Sequence, residues 1–163
     1  MGDRVLICGD SYSDPTKPIN DYPATNAWVD KLRDDFDVVC LAQVGANNEE
    51  ILNQAAQDVS RDFTIISLAP LARGDSLKQM IKSVHQITQI KNCYVWSPFR
   101  DYASVKGVDW QPFISHNEFY IKLNHFDAYV SRQYQFTGCH FTHQGNELVY
   151  EHMKYIITQR ITS

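Results

Sequence analysis

Short, continuous apolar runs recur along this chain, separated by longer stretches of mixed polar and apolar character. Runs of this kind that are rich in β-branched and aromatic residues are typical of buried strands. Strands are therefore predicted at residues 5–8, 37–42, 63–69 and 93–96, with a short edge strand at residues 135–136.

Between these runs, apolar residues recur at helical spacing, which predicts helices with one buried face. The first helix is expected to begin near Thr25 or Asn26, and Asp75 or Ser76 to cap the third. The second follows residue 48, the fourth covers residues 117–134, and the last begins at about Gln144. The predicted buried face of the first helix consists of Trp28, Val29, Leu32 and Phe36, and that of the second consists of Ile51, Leu52, Ala55 and Val59. The third helix is expected to bury Leu77, Met80, Ile81 and Val84. The last helix is expected to bury Leu148, Val149, Met153, Ile156 and Ile157.

Strands that alternate with helices predict a parallel sheet covered by helices on both faces. The fold class is therefore α/β: a three-layer α/β/α sandwich with a mainly parallel, flavodoxin-like sheet of about five strands. No repeat, low-complexity segment or linker interrupts the pattern, so residues 1–163 are expected to form a single domain. Residues 98–115 have no clear period, and apparent loops of that length are usually either functional lids or poorly assigned elements.

Composition narrows the class of protein. The chain has 163 residues, of which 44% are hydrophobic and 21% charged, as in an ordinary globular domain. A net charge of −4 without a lysine or arginine block disfavours nucleic acid or a membrane as partner. No signal peptide or membrane span is visible, and none of the four cysteines forms a C-x-x-C pair. We expect reduced core thiols in a cytoplasmic protein that is a monomer or small homo-oligomer.

The first candidate for chemistry is Ser11, in the stretch Gly9-Asp10-Ser11 directly after the first strand. Open α/β sheets bind their ligands at the carboxyl ends of their strands, so this hydroxyl is expected at the ligand-binding edge. Ser11 is therefore a candidate nucleophile. The alternative is a simple Asp-Ser turn that closes the strand.

The turn after the second strand is expected beside Ser11, because the first two strands usually pair. The Gly45 N–H could then stabilise negative charge developing near Ser11, and an asparagine amide could add a second donor. Asn47 has capping-box spacing to Glu50, which favours a helix N-cap. Asn48 is therefore the predicted side-chain donor.

A serine hydroxyl needs a general base, and histidine is the usual one. Of the six histidines, His116, His140 and His143 lie in predicted loops, and His140 comes just before the last helix. No carboxylate lies within five residues upstream of His140 to orient it. The residues alone leave the choice among these three histidines open.

In its order of motifs, the chain resembles the SGNH/GDSL hydrolases. The resemblance covers residues 5–153 and is carried by Gly9-Asp10-Ser11, by Gly45 after the second strand, and by His140 five residues before Gly145. It implies a serine hydrolase that cleaves an ester or related acyl bond through a Ser11–His140 dyad. Ser11, Gly45 and Asn48 would then form the oxyanion hole, with no metal and no cofactor.

Two departures from the family pattern are visible. The third family block, G-x-N-D, would supply an oxyanion-hole asparagine, but this chain has Ser67-Leu68-Ala69-Pro70 there, with Arg73 close behind. The acid expected three residues before His140 is replaced by Thr137. The alternatives for orienting His140 are a backbone carbonyl or a carboxylate from elsewhere, such as Asp101 or Asp109. The alternative function is a catalytically weakened or inactive protein of this fold that binds an acylated or anionic small ligand.

The predicted partner is a small-molecule acyl or ester substrate. The residues expected to contact it are Asp10, Tyr12, Arg73 and Trp110, and Tyr102 and Phe113 are further candidates for the pocket wall. A flavodoxin-like or receiver-like signalling domain is disfavoured, since the chain lacks both the acidic cluster of a receiver and a phosphate-cradling loop for flavin mononucleotide.

Overall fold

Strands and helices alternate along the chain in the computed structural model, which describes residues 2–15, 27–98, 141 and 143–161. The strands are β1 (Arg4–Cys8), β2 (Asp37–Cys40), β3 (Phe63–Ser67) and β4 (Cys93–Trp96). The helices are α1 (Trp28–Leu32), α2 (Asn48–Ala55), α3 (Leu77–Thr88) and α4 (His143–Ile161). The predicted edge strand at 135–136 and helix at 117–134 lie outside the described residues, as does the predicted loop after residue 98.

The described strands form one parallel sheet in the order β2-β1-β3-β4. Because all four strands run the same way, the turns that follow them meet at one edge. β1 lies between β2 and β3, so the residues after β1 are flanked by the turns after β2 and β3. This order confirms the predicted flavodoxin-like α/β sheet and places Gly9-Asp10-Ser11 at the centre of its carboxyl edge.

Both faces of the sheet are covered. Successive side chains of a strand point to opposite faces, and all four residues from Val5 to Cys8 are fully buried. α2 packs against α3, and α1 packs against α4. This double burial explains why the strands are continuous apolar runs and do not alternate with polar residues.

Local signals located the helix starts. Asn47 caps α2 in a capping box: its Oδ1 accepts from the Glu50 N–H at 2.9 Å, and its own N–H donates to Glu50 Oε1 at 3.2 Å. Ser76 caps α3 through the Gln79 N–H at 3.3 Å. Both caps agree with the sequence prediction.

Three details of the helix prediction are wrong. α2 ends at Ala55, so Val59 lies beyond that helix, although it is half-buried and packs against the core. α1 ends at Leu32, so Phe36 is not part of that helix, although it is half-buried and packs against the core. The chain must leave the helix there because β2 begins at Asp37. Leu77, predicted on the buried face of α3, is 59% exposed because it is the first residue of the helix.

Three cysteines behave as small core residues. Cys8, Cys40 and Cys93 are free thiols in β1, β2 and β4. Burial raises their pKa values to about 12, about 11 and about 12, so these thiols stay protonated. Cys139 lies outside the described residues. No helix in the described part of the chain is long and apolar enough to cross a membrane.

Candidate active site

Ser11 occupies the tip of a tight turn after β1. The Asp10 carbonyl accepts from the N–H groups of Ser13 and Asp14 at 3.0 and 3.1 Å, and Asp10 Oδ1 accepts from the Tyr12 N–H at 3.0 Å. Asp10, Tyr12 and Ser13 are buried, whereas Ser11 is half-exposed. The turn therefore buries the neighbours of Ser11 and leaves Ser11 itself half-exposed at the carboxyl edge of the sheet.

Gly9 lies where a side chain would crowd its neighbours. A Cβ at this position would lie 2.9 Å from Ser13 Oγ and 3.1 Å from Ser67 Cβ. The Gln54 side chain, from α2, binds both backbone groups of Gly9: its Oε1 accepts from the Gly9 N–H at 2.8 Å, and its Nε2 donates to the Gly9 carbonyl at 3.1 Å. The start of the Ser11 turn is thus anchored to α2.

Removing this anchor should destabilise the fold. Met matches the size of Gln but cannot pair with Gly9, so Gln54→Met leaves the Gly9 N–H buried without its partner. We expect the free energy of unfolding, measured in urea, to fall by about 1–3 kcal/mol. Gln57→Met is the control, since the Gln57 side chain is exposed and donates only to the nearby Asn53 carbonyl. It should change stability by less than about 0.5 kcal/mol. Equal losses in the two variants would contradict the role of Gln54.

The turn after β2 lies beside the Ser11 turn. The Gln43 N–H donates to the Gly9 carbonyl at 3.1 Å, and the Val44 N–H donates to Asp14 Oδ2 at 3.3 Å. The Ala46 N–H returns to the Gln43 carbonyl at 3.2 Å, and Gly45 has φ +79°, which defines a type II turn that favours glycine. Within the described residues, no acceptor takes the Gly45 N–H.

Arg73, from the turn after β3, contacts the turns after β1 and β2. Its Nη1 lies 2.7 Å from Asp10 Oδ2 and 3.1 Å from the Ala46 carbonyl oxygen. The Asp10 side chain is completely buried, and that of Arg73 is 28% exposed. Burial raises the pKa of Asp10, while the Arg73 charge and the Tyr12 N–H favour its ionised form. One guanidinium therefore joins the three turns at the centre of the sheet edge, through an ion pair with Asp10 and a hydrogen bond to Ala46.

Asn48 is buried against the turn after β3. Its Oδ1 accepts from the Ala69 N–H at 2.9 Å, and its Nδ2 donates to the Ala69 carbonyl at 3.2 Å. Both the oxygen and the nitrogen of this amide, which was predicted to donate to the oxyanion, are therefore hydrogen-bonded to the backbone that follows β3. Like Gln54, it is a polar residue on the buried face of α2 that pairs with a strand-end residue.

Aromatic side chains connect the Ser11 turn to the start of α4. The rings of Tyr12 and Phe141 meet edge to face with centroids 5.0 Å apart, and Phe141 stacks on Trp96 at 6.2 Å. Trp28 Nε1 donates to the Tyr12 carbonyl at 2.8 Å. Asn146 Oδ1 accepts from the Trp28 N–H at 3.0 Å. Phe141 directly follows His140 in sequence, and Tyr12 directly follows Ser11.

Several predicted residues lie outside the described part of the chain: His140, Trp110, Thr137, Tyr102, Phe113, Asp101 and Asp109. Gln54 and Phe141 were not predicted as part of the site. A signal for Gln54 was present, because a polar amide stood at a helical position flanked by the apolar Ile51 and Ala55. Its partner, 45 residues away, could not be read from that pattern.

A surface depression of about 460 Å³ lies at the opposite edge of the sheet, where β1 and β3 begin. Its lining includes Asp3, Asp62 and Arg160. Ser11 follows the other end of β1, so this depression does not belong to the site.

Three solved structures that are similar to this chain are hydrolases by name. The psychrotrophic esterase EstA from Pseudoalteromonas sp., in a structure inhibited by monoethylphosphonate, has a TM-score of 0.61 and 15% identity, covering 99% of this chain and 100% of its own. A protein designated an acylhydrolase from Bacteroides fragilis has a TM-score of 0.52 and 13% identity, covering 96% and 87%. A GDSL-like lipase from Bacteroides thetaiotaomicron has a TM-score of 0.51 and 16% identity, covering 96% and 88%.

These identities are low, so the likeness concerns the fold. Neither a family model nor a curated protein matches the sequence. The chain has the fold of the SGNH/GDSL hydrolases and is a divergent example of it. The predicted fold class is confirmed, and so is the predicted resemblance to SGNH/GDSL hydrolases at the level of the fold.

Proposed function

We propose that this protein is a serine hydrolase that cleaves an ester or related acyl bond, with Ser11 as nucleophile and His140 as general base. The observation that carries the proposal is the ring contact between Tyr12 and Phe141, with centroids 5.0 Å apart. It brings together the residues that directly follow Ser11 and His140. The hydrolase names of the similar structures support the same class of reaction.

In the proposed reaction, Ser11 Oγ attacks the acyl carbon while the imidazole of His140 accepts the hydroxyl proton. The tetrahedral intermediate collapses to an acyl-serine, and the leaving group takes the proton from His140. Water, deprotonated by His140, then attacks the acyl-serine; the bond between Ser11 Oγ and the acyl carbon breaks, the carboxylic acid leaves, and Oγ takes the proton back from His140. A dyad suffices for each step, and Asp101 or Asp109 is the proposed source of an orienting carboxylate in place of Thr137.

The proposed oxyanion hole consists of the N–H groups of Ser11 and Gly45. The turn that contains Gly45 is bound to Gly9 and Asp14, on either side of Ser11. Backbone donors fixed in this way need no reorganisation when charge develops on the substrate oxygen. A type II turn also points the N–H of its third residue away from the turn's own hydrogen bond.

The remaining site residues receive revised roles in this proposal. Asn48, which was expected to donate to the oxyanion, pairs its amide with Ala69, and we propose that it supports the turn after β3. Asp10 was expected to contact substrate, but its buried carboxylate supports Arg73 and the Tyr12 N–H. Tyr12 and Trp110 remain the proposed pocket walls.

A fluorophosphonate probe tests the proposal directly. The serine oxygen of a hydrolase attacks phosphorus and fluoride leaves, which marks the nucleophile covalently. We expect the protein to hydrolyse p-nitrophenyl acetate, to lose that activity on labelling, and to carry the label on Ser11 in peptide mass spectrometry. A folded protein that shows neither turnover nor label would overturn the proposal and favour the non-catalytic, ligand-binding alternative.

A further inference from the structure

One nitrogen atom contacts the immediate neighbours of both proposed oxyanion donors. Arg73 Nη1 lies 2.7 Å from the carboxylate of Asp10, which precedes Ser11. It also lies 3.1 Å from the carbonyl oxygen of Ala46, which follows Gly45. A shift of this guanidinium would therefore move the two donor-bearing segments relative to each other.

The contacts of Asp10 make the link between the two segments rigid. Its side chain is fully buried, with one carboxylate oxygen on Arg73 and the other on the Tyr12 N–H. Hydrogen bonds between charged groups are shorter and stronger than neutral ones, and a buried carboxylate that loses its partner is strongly destabilised. Both segments are thus held to a position set by Arg73.

Arg73 comes from the turn after β3, where its own N–H bonds to the Pro70 carbonyl at 3.0 Å. The SGNH/GDSL pattern places an oxyanion-hole asparagine after this strand, and this chain has none there. In this chain the turn after β3 contributes the Arg73 side chain to the site instead.

We propose that Arg73 is a positioning residue of the oxyanion hole, which fixes the separation of the Ser11 and Gly45 N–H groups through Asp10 and Ala46. In this way the turn after β3 supports the oxyanion hole without supplying a donor to it. The inference rests on the proposed hydrolase function of Ser11.

Steady-state kinetics with p-nitrophenyl acetate test this role. Misplacement of donors by about 1 Å can lower the rate about 10²-fold. We expect Arg73→Met to lower kcat by about that factor with little change in KM, because the loss falls on the transition state. Arg73→Lys should recover part of kcat, since its ammonium can still donate to Asp10.

Arg61→Met is the matched control. Arg61 is another partly buried arginine, and it donates to the carbonyl groups of Ala55, Gln57 and Val59 at the end of α2. Its loss removes comparable hydrogen bonds away from the site and should leave kcat unchanged. Circular dichroism and thermal unfolding establish that each variant is folded.

A double-mutant cycle separates positioning from direct contact with substrate. Asp10→Asn should also lower kcat. The Asp10→Asn, Arg73→Met double variant should have a kcat no lower than that of the worse single variant, because both changes break the same contact between Arg73 and Asp10. The rate of fluorophosphonate labelling of Ser11 should fall in parallel.

Two results would overturn the positioning role. One is an unchanged kcat in Arg73→Met with a raised KM for an ester that carries a carboxylate, which makes Arg73 a substrate contact. The other is multiplicative loss in the double variant. If Arg73→Met does not fold, Arg73→Lys and Asp10→Asn decide the question. An inactive wild type without label on Ser11 would instead refute the proposed function itself.

Discussion

Ser11→Ala should lower kcat/KM for p-nitrophenyl acetate by at least about 10⁴-fold, because removal of a serine nucleophile leaves only binding and electrostatic stabilisation. The fluorophosphonate label should disappear from the protein in the same variant. Thermal stability should change little, since Ser11 is half-exposed at the tip of its turn.

Ser13→Ala is the matched control for this variant. Ser13 lies on the same turn, but its hydroxyl is buried and finds no hydrogen-bond partner among the described residues. Its removal should leave kcat/KM near the wild-type value and the label on Ser11. Activity of Ser11→Ala within tenfold of wild type, or a label that moves to another residue, would refute the assignment of the nucleophile.

His140→Ala should lower kcat/KM by about 10³-fold or more, because an unactivated serine hydroxyl is a weak nucleophile. The imidazole must be unprotonated to accept the proton from Ser11. The wild-type rate should therefore fall as the pH is lowered through the range in which histidine gains a proton. The ratio of wild-type to His140→Ala rates should shrink in the same direction.

Three other histidines give this test its controls. His85 lies on α3, and His85→Ala should retain wild-type kinetics. His116 and His143 were the other candidates from predicted loops, although His143 is the first residue of α4, and alanine variants of each should keep most of the activity. A large loss in His116→Ala or His143→Ala, together with an active His140→Ala, would move the base to that residue.

Local sequence patterns predicted the elements of this fold well. β4 has the predicted bounds, Cys93–Trp96, and the N-caps of α2 and α3 fall at Asn47 and Ser76. These features depend on interactions between residues close in sequence, such as the capping box between Asn47 and Glu50. The end of α1 was missed because the start of β2, and no local signal, ends that helix.

The site was predicted only in part. The position of Gly9-Asp10-Ser11 at the sheet edge followed from the strand that precedes it. The protein partners of Asp10, Asn48 and Gln54 did not follow: Asp10 was expected to face substrate and Asn48 an oxyanion, and the contacts of both with other turns of the chain were not predicted. Each amide or carboxylate has several possible partners of the same polarity, and sequence does not rank them.

The sequence by itself therefore determined the alternation of strands and helices, the caps, and the serine at the end of the first strand, since propensity and periodicity act over a few residues. The tertiary structure alone decided what meets at the sheet edge. Arg73 reaches Asp10 across 63 residues, Gln54 reaches Gly9 across 45, and Asn48 reaches Ala69 across 21. These contacts exist because the strand order places three turns side by side, and a buried polar group without a partner is costly there.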